Sequence, residues 1–253
     1  MAFGEPKFEK IVDQAEEKEQ NREKLVAFVK EISGNLREEG LPVREDCRID
    51  IDSFRGLYSE KTIEEDREEI KSCEKDWQTG LSEKERSKTE GEKLEMLKTA
   101  IFSKFLGKDF IVARTSPYDD IKNNIDNIVL EKETGGLVCA LDEVGESSGE
   151  GYEKKKIKVL ERNRREDGGS LKYGFRLEKG KEGKDKLLLS KVNNIPLFYL
   201  VLPPRHIEEG VKELIPSLGI KSDYENKLFS YFVASLASQI NLLKLERRLN
   251  PVL

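Results

Sequence analysis

The chain has 253 residues, of which 36% are hydrophobic and 38% charged, with one histidine and three cysteines. That length suits one or two domains, and the apolar fraction suffices for one sizeable core beside long solvated helices or loops. Cys47, Cys73 and Cys139 show no paired short spacing and His206 stands alone, so a disulfide framework and a zinc site are disfavoured, and any bound metal is expected to be a hard cation on oxygen ligands, such as Mg²⁺.

The first residues carry no basic region followed by an apolar one, and the longest apolar run, Ile195 to Leu202, is too short to cross a membrane. The expectation is a cytoplasmic protein in a reducing compartment, with no membrane partner. Net charge is −5 but uneven: residues 152–186 hold thirteen Lys/Arg against seven Asp/Glu, a local net of +6. A basic block in an acidic chain points to an anionic partner, with a solvated helix face as the plainer reading.

In chain order, Phe8, Ile11, Val12 and Ala15, then Leu25, Phe28, Val29, Ile32 and Leu36, predict a helix from Pro6 to about Glu39, stopped by Gly40-Leu41-Pro42. Ile49, Ile51, Phe54 and Leu57 suggest a short amphipathic piece, and Thr62–Trp77 a second charged helix with Ile63, Ile70, Cys73 and Trp77 on one side. Residues 1–81 thus read as a helical arm or hairpin, able to be removed and able to meet a protein partner or a second copy. Ser82 and Glu85 form a capping box for a helix running to Leu106. The period then becomes strand-like: Phe110–Thr115, a polar loop over 116–124, Ile125–Glu131, a Gly-rich turn and Leu137–Val144. After the loop Gly145–Gly151 come a basic helix, Tyr152–Arg165, with Ile157 and Leu160 inward, a strand over Leu171–Leu177, a short piece at 187–189 and a buried strand Ile195–Leu202. Helices at Arg205–Ile215 and Asp223–Leu249 follow, the last opened by the capping box Ser222/Glu225. The fold class is α/β (α+β), a mixed β-sheet flanked by helices over residues 82–253. Phe102, Phe105, Ile128, Val138, Leu141, Leu200, Phe232 and Leu236 are the expected core.

Candidate chemistry concentrates between Arg114 and Glu146. Asp119 and Asp120 follow the first strand, Asp126 opens the second, and Asp142 and Glu143 close the third. Carboxylates at adjacent strand ends can converge, as Mg²⁺ coordination requires. Asp119-Asp120 may equally be read as turn caps.

Helix with Glu, strand, strand with Asp, strand ending in Asp/Glu, then helix and strand resembles the core of the PD-(D/E)XK nuclease superfamily over residues 84–202. The resemblance implies a restriction-endonuclease-like core with an N-terminal helical arm added, and a metal-dependent nuclease cleaving phosphodiester bonds in nucleic acid. It implies Glu92 or Glu95 as the helix acid and Asp126 and Asp142 as metal ligands for Mg²⁺. The family's lysine would fall at Val144, or at Gly145 counted from Glu143; Lys154, Lys155 and Lys156 open the next helix and offer a replacement. On this reading Lys154 and Lys156 act on the attacking water, while Arg114, Lys155, Arg162 and Arg165 grip the nucleic-acid backbone. The alternative is a non-catalytic nuclease-fold module that binds nucleic acid or a protein partner; Val144 favours it.

Overall fold

The computed structural model describes residues 6–77, 89–144, 150–165, 168–178 and 186–249. Helix α1 spans Pro6–Glu38. Leu25, Phe28, Val29 and Ile32 recur at helical spacing and are buried. Gly40, at φ +84°, ends it: Leu41 N–H donates to Leu36 O and Gly40 N–H to Arg37 O, the paired bonds of a left-handed C-terminal cap. Residues 43–49 then run beside the sheet, and a 3-10 turn covers Ile51–Phe54. Helix α2 spans Glu60–Trp77, with Ile63 and Ile70 buried.

Helix α3, Glu90–Leu106, is capped by Thr89, whose hydroxyl accepts from Glu92 N–H at 3.3 Å. The expected capping box at Ser82 and Glu85 lies outside the described residues. Strand β1 covers Phe110–Arg114. The expected polar loop is a two-turn helix, α4, over Pro117–Asn123. Its signals are ordinary ones: Ser116 at the N-cap, Pro117 in the first turn, acids at 119 and 120, and Asn124 in the left-handed region at φ 53°.

Strands β2, Asn127–Glu131, and β3, Leu137–Val144, form an antiparallel hairpin. Its turn presses on the next hairpin: a Cβ on Gly135 would lie 1.9 Å from Leu177 O, so only glycine fits. Helix α5 covers Glu150–Arg164, and β4, Gly169–Glu178, pairs with β5, Lys186–Ile195, as a separate two-stranded sheet. Strand β6, Leu197–Val201, returns parallel to β3, giving a four-stranded mixed sheet in the order β1-β2-β3-β6. Helices α6, Pro204–Glu213, and α7, Asp223–Leu249, complete the chain. The architecture is mixed α/β.

The residues read as an arm share one buried cluster with the sheet: Leu25, Phe28 and Ile49 belong with Leu97, Phe102 and Phe232. Of the expected core, Phe102, Ile128, Leu141, Leu200 and Phe232 are buried, and Phe105 and Leu236 partly so. Val138 is 44% exposed, because the turn end of β3 lies beyond the covering helices. Ile157 is 52% exposed, whereas Leu160 is buried as expected and Val159 is buried beside it.

Among the described residues, one helix is long and apolar enough to cross a membrane by length and composition, the Asp223–Leu245 part of α7. A count of contiguous apolar residues passes over it, because Ser, Asn and Gln interrupt the run. Leu228 and Phe232 dock it on the core, while Val233, Leu242 and Leu245 face outward.

Candidate metal and charge cluster

Four elements bring acidic side chains together at the end of β3. Helix α3 contributes Glu92, Glu95 and Lys98, which share a face by their spacing of three. The turn before β2 contributes Asp126, tied by its backbone N–H to Leu141 O at 2.8 Å and by its carbonyl to Thr115 N–H at 2.9 Å. Its side chain accepts from Glu143 N–H. Strand β3 contributes Asp142 and Glu143, both buried. Helix α4 adds Asp120, so that oxygens of Glu95, Asp120 and Asp126 all lie within 4.8 Å of one another.

Four cations interleave with these acids. Residues 47–49 lie parallel to the end of β1: Arg114 N–H donates to Cys47 O and Ile49 N–H to Arg114 O, each at 3.0 Å. That register sets Arg48 and Arg114 side by side. Arg48 donates to Asp120 at 2.7 Å and to Glu95 at 2.8 Å; Arg114 donates to Glu92 at 2.6 Å and Glu95 at 2.5 Å. Lys98, fully buried, contacts Glu143. Lys155 reaches in from α5, 2.5 Å from Asp142 Oδ1, and donates to Glu143 O.

Six carboxylates (Glu92, Glu95, Asp120, Asp126, Asp142, Glu143) therefore face four cationic side chains (Arg48, Arg114, Lys98, Lys155). Fully ionised, the group holds two uncompensated negative charges. The protonation behaviour follows. Burial, reinforced by Glu95 and Asp142, pushes the Asp126 carboxyl up to about 7. Burial also lifts Asp120 to about 6, with Arg48 opposing and Asp126 adding. At Glu92 burial acts upward, but Arg114 and Arg48 outweigh it and hold the group at about 2. Burial lowers Lys98 to about 8 against the pull of Asp126 and Glu95. The converging oxygens of Glu95, Asp120 and Asp126 form a group that could hold a metal ion.

The site residues named from the sequence divide clearly. Glu92, Glu95, Asp126 and Asp142 come together, and Lys155 joins them. Lys154 and Lys156 do not: Lys154 is exposed and pairs with Glu150 at 2.6 Å, and Lys156 pairs with Glu153 at 3.6 Å, because residues one step either side of Lys155 point away from the cluster. Arg114 is wholly buried against Glu92 and Glu95, so it is not a surface contact for nucleic acid. Arg162 donates to Gly168 O at 2.8 Å and Asn123 O at 3.0 Å, fastening two turns rather than offering its guanidinium outward. Arg165 is exposed at the end of α5.

Arg48 and Lys98 are not among the candidates read from the sequence, while Glu143 is named there only beside Asp142 and Asp120 only as turn cap or converging carboxylate. Lys98 had a local signal: it stands among Leu94, Leu97 and Ile101 on the buried face of α3, where a lysine needs a partner. Arg48 had none, since the cluster acids it meets lie 44 to 72 residues away. Comparison with protein-family models, with curated proteins and with solved structures gives no match for this chain.

Proposed function

We propose that this chain is a PD-(D/E)XK-like, Mg²⁺-dependent phosphodiesterase acting on nucleic acid, with Asp126 and Asp142 as metal ligands. The observation that carries the reading is the convergence of carboxylates from α3, α4, the start of β2 and the end of β3, with oxygens of Glu95, Asp120 and Asp126 within 4.8 Å of one another. Support for a restriction-endonuclease-like core comes from α3, the antiparallel β1-β2-β3, the crossover through α5 and the parallel β6, with α4 inserted between β1 and β2 and the β4–β5 hairpin inserted before β6.

A bound Mg²⁺ would supply Lewis-acid polarisation and neutralise charge on the phosphoryl group. Glu95 and Asp120, beside Asp126, are the further oxygens within reach of the same ion. Lys155 replaces the lysine that Val144 displaces: it comes from α5, yet its ammonium stands against Asp142. From there it can hold the scissile phosphate and stabilise developing negative charge. Lys154, Lys158 and Arg165, exposed on α5, would follow the backbone of the substrate.

The non-catalytic alternative is favoured by Val144 at the lysine position and by Arg48 and Arg114, which already satisfy Glu92 and Glu95. Incubation with DNA and RNA, single- and double-stranded, in Mg²⁺ or Mn²⁺ separates the two. The catalytic reading expects cleavage that chelation stops, abolished by Asp126→Asn and Asp142→Asn, and reduced on the order of 10²-fold or more by Lys155→Ala. Salt-sensitive binding without cleavage in either metal would leave the binding module in its place.

A further inference from the structure

We propose that Arg48 is a built-in counter-ion of this cluster and competes with the divalent cation for Glu95 and Asp120, so that it sets the metal affinity of the site. The inference rests on the metal reading above and adds to it a residue that limits how tightly the ion is held.

Glu95, Asp120 and Asp126 are the carboxylates whose oxygens converge, and the Arg48 guanidinium bridges two of the three. A guanidinium that donates to two carboxylates does part of what a divalent ion would do there. The same oxygens cannot serve both in full. Arg114 differs: it touches Glu92 and Glu95 but not Asp120, and its side chain is sealed in the core. Arg48 stands at the rim, with its side chain about one-tenth exposed.

The backbone is arranged to deliver this side chain. Cys47, just before it, adopts φ 63°, a left-handed conformation uncommon for a non-glycine residue and held by packing. Cys47 is itself fully buried, its thiol donating to Val29 O at 3.3 Å. The turn 44–48 closes through Arg44 N–H to Arg48 O at 2.8 Å. Beside Glu92, Glu95 and Asp120, Arg48 has a fourth acid near it: Asp46 Oδ2 lies 3.8 Å from its Nε. A guanidinium released from Asp120 and Glu95 by a metal ion can therefore shift toward Asp46 without losing every carboxylate. The site alternates between guanidinium and divalent ion on shared oxygens.

Isothermal calorimetry with Mn²⁺ on the full chain tests this directly. Removing the competing positive charge should make Arg48→Met bind Mn²⁺ at least about tenfold tighter than wild type, the scale on which neighbours of ligands tune a metal. The Mn²⁺-induced rise in melting temperature should grow in parallel. Arg48→Lys keeps the charge but loses the fork that bridges two carboxylates, and should tighten binding several-fold. This milder variant decides the matter if Arg48→Met does not fold. Unchanged or weaker Mn²⁺ affinity in the folded variants, with Asp126→Asn still abolishing binding, overturns the competition and leaves the metal site standing. Absence of Mn²⁺ binding in wild type and in the Arg48 variants alike overturns both.

Discussion

Asp126 sits one residue before β2 with its backbone fixed on both sides, so its carboxylate cannot move away from Glu95 and Asp142. Its raised pKa has a consequence for stability. In the unfolded chain the group loses its proton near the ordinary Asp value of about 4. In the folded apo protein it keeps the proton up to about 7. Between those values unfolding releases a proton, so this group makes the apo protein progressively less stable as pH rises from about 4 to about 7. Asp126→Asn should therefore raise the apo melting temperature at pH 8, and the gain should shrink as pH is lowered toward 5. Urea denaturation at both pH values reads it; an equal effect at each would mean that Asp126 titrates normally.

A second buried pair obeys the same electrostatics without any link to the cluster. Lys104 and Glu225 are both fully buried and in contact, and Lys104 also donates to Ile215 O at 2.8 Å. Glu225 was legible in the sequence as the far end of a capping box, and Ser222 Oγ does accept from its backbone N–H at 3.2 Å. That the same carboxylate also neutralises a lysine 121 residues earlier was not legible, because the pairing depends on how α3 meets α7. Glu225→Gln leaves the ammonium buried and unpaired, and should cost about 3–5 kcal/mol by equilibrium unfolding. A cost below about 0.5 kcal/mol would place the pair in water.

Among the elements, β6 shows how side chains close an otherwise open sheet edge. Gln239 of α7 spans one residue of it, accepting from Tyr199 N–H at 3.1 Å and donating to Tyr199 O at 2.8 Å. Asn163 of α5 does likewise at Leu197, accepting from its N–H at 3.0 Å and donating to its O. Both amides imitate a neighbouring strand, which protects an edge from pairing with another chain. Gln239→Ala should cost about 1–3 kcal/mol, the penalty for unsatisfied buried backbone groups. It should also accelerate aggregation on heating, measured by light scattering.

The strands and long helices were visible in the sequence because their period is set by a buried face. Ile128, Leu141 and Leu200 alternate or cluster as strands require, and they are buried. The departures are of two kinds. Ile157 and Val138 were apolar and in register but lie where nothing covers them, a matter of tertiary layout that spacing does not encode. Helix α4 was encoded by Ser116-Pro117 but obscured by its own polarity. In the cluster, acids from consecutive elements were legible because strand order brings their ends together. The cations were legible only in part: Arg114 and Lys155 were named for another role, Lys155 differs from Lys154 and Lys156 only in its angle around α5, and Arg48 comes from a distant loop.

At the scale of the molecule, the described residues from Leu25 to Ile70 share one interior with the sheet. Phe28 and Leu25 pack in the same cluster as Phe102, and Arg48 reaches the charge group beneath it. The sequence alone suggested that residues 1–80 could be removed. Packing predicts the opposite: the chain from residue 82 onward should lose its cooperative thermal transition, followed by circular dichroism. Leu200→Ala, in the parallel strand between β3 and α7, should cost about 2–5 kcal/mol for the cavity it leaves. A cost under about 0.5 kcal/mol would put β6 at the surface.

Under the proposed function, the buried acids form a site for one hard divalent cation. Such an ion binds the folded state and so raises its melting temperature. The most direct measurement is therefore the melting temperature of wild type, Asp126→Asn and Asp142→Asn, each with and without Mg²⁺ or Mn²⁺. The account predicts a metal-dependent rise in wild type that disappears in both variants, while the apo variants are as stable as wild type or more so. An equal metal response in all three proteins would contradict it.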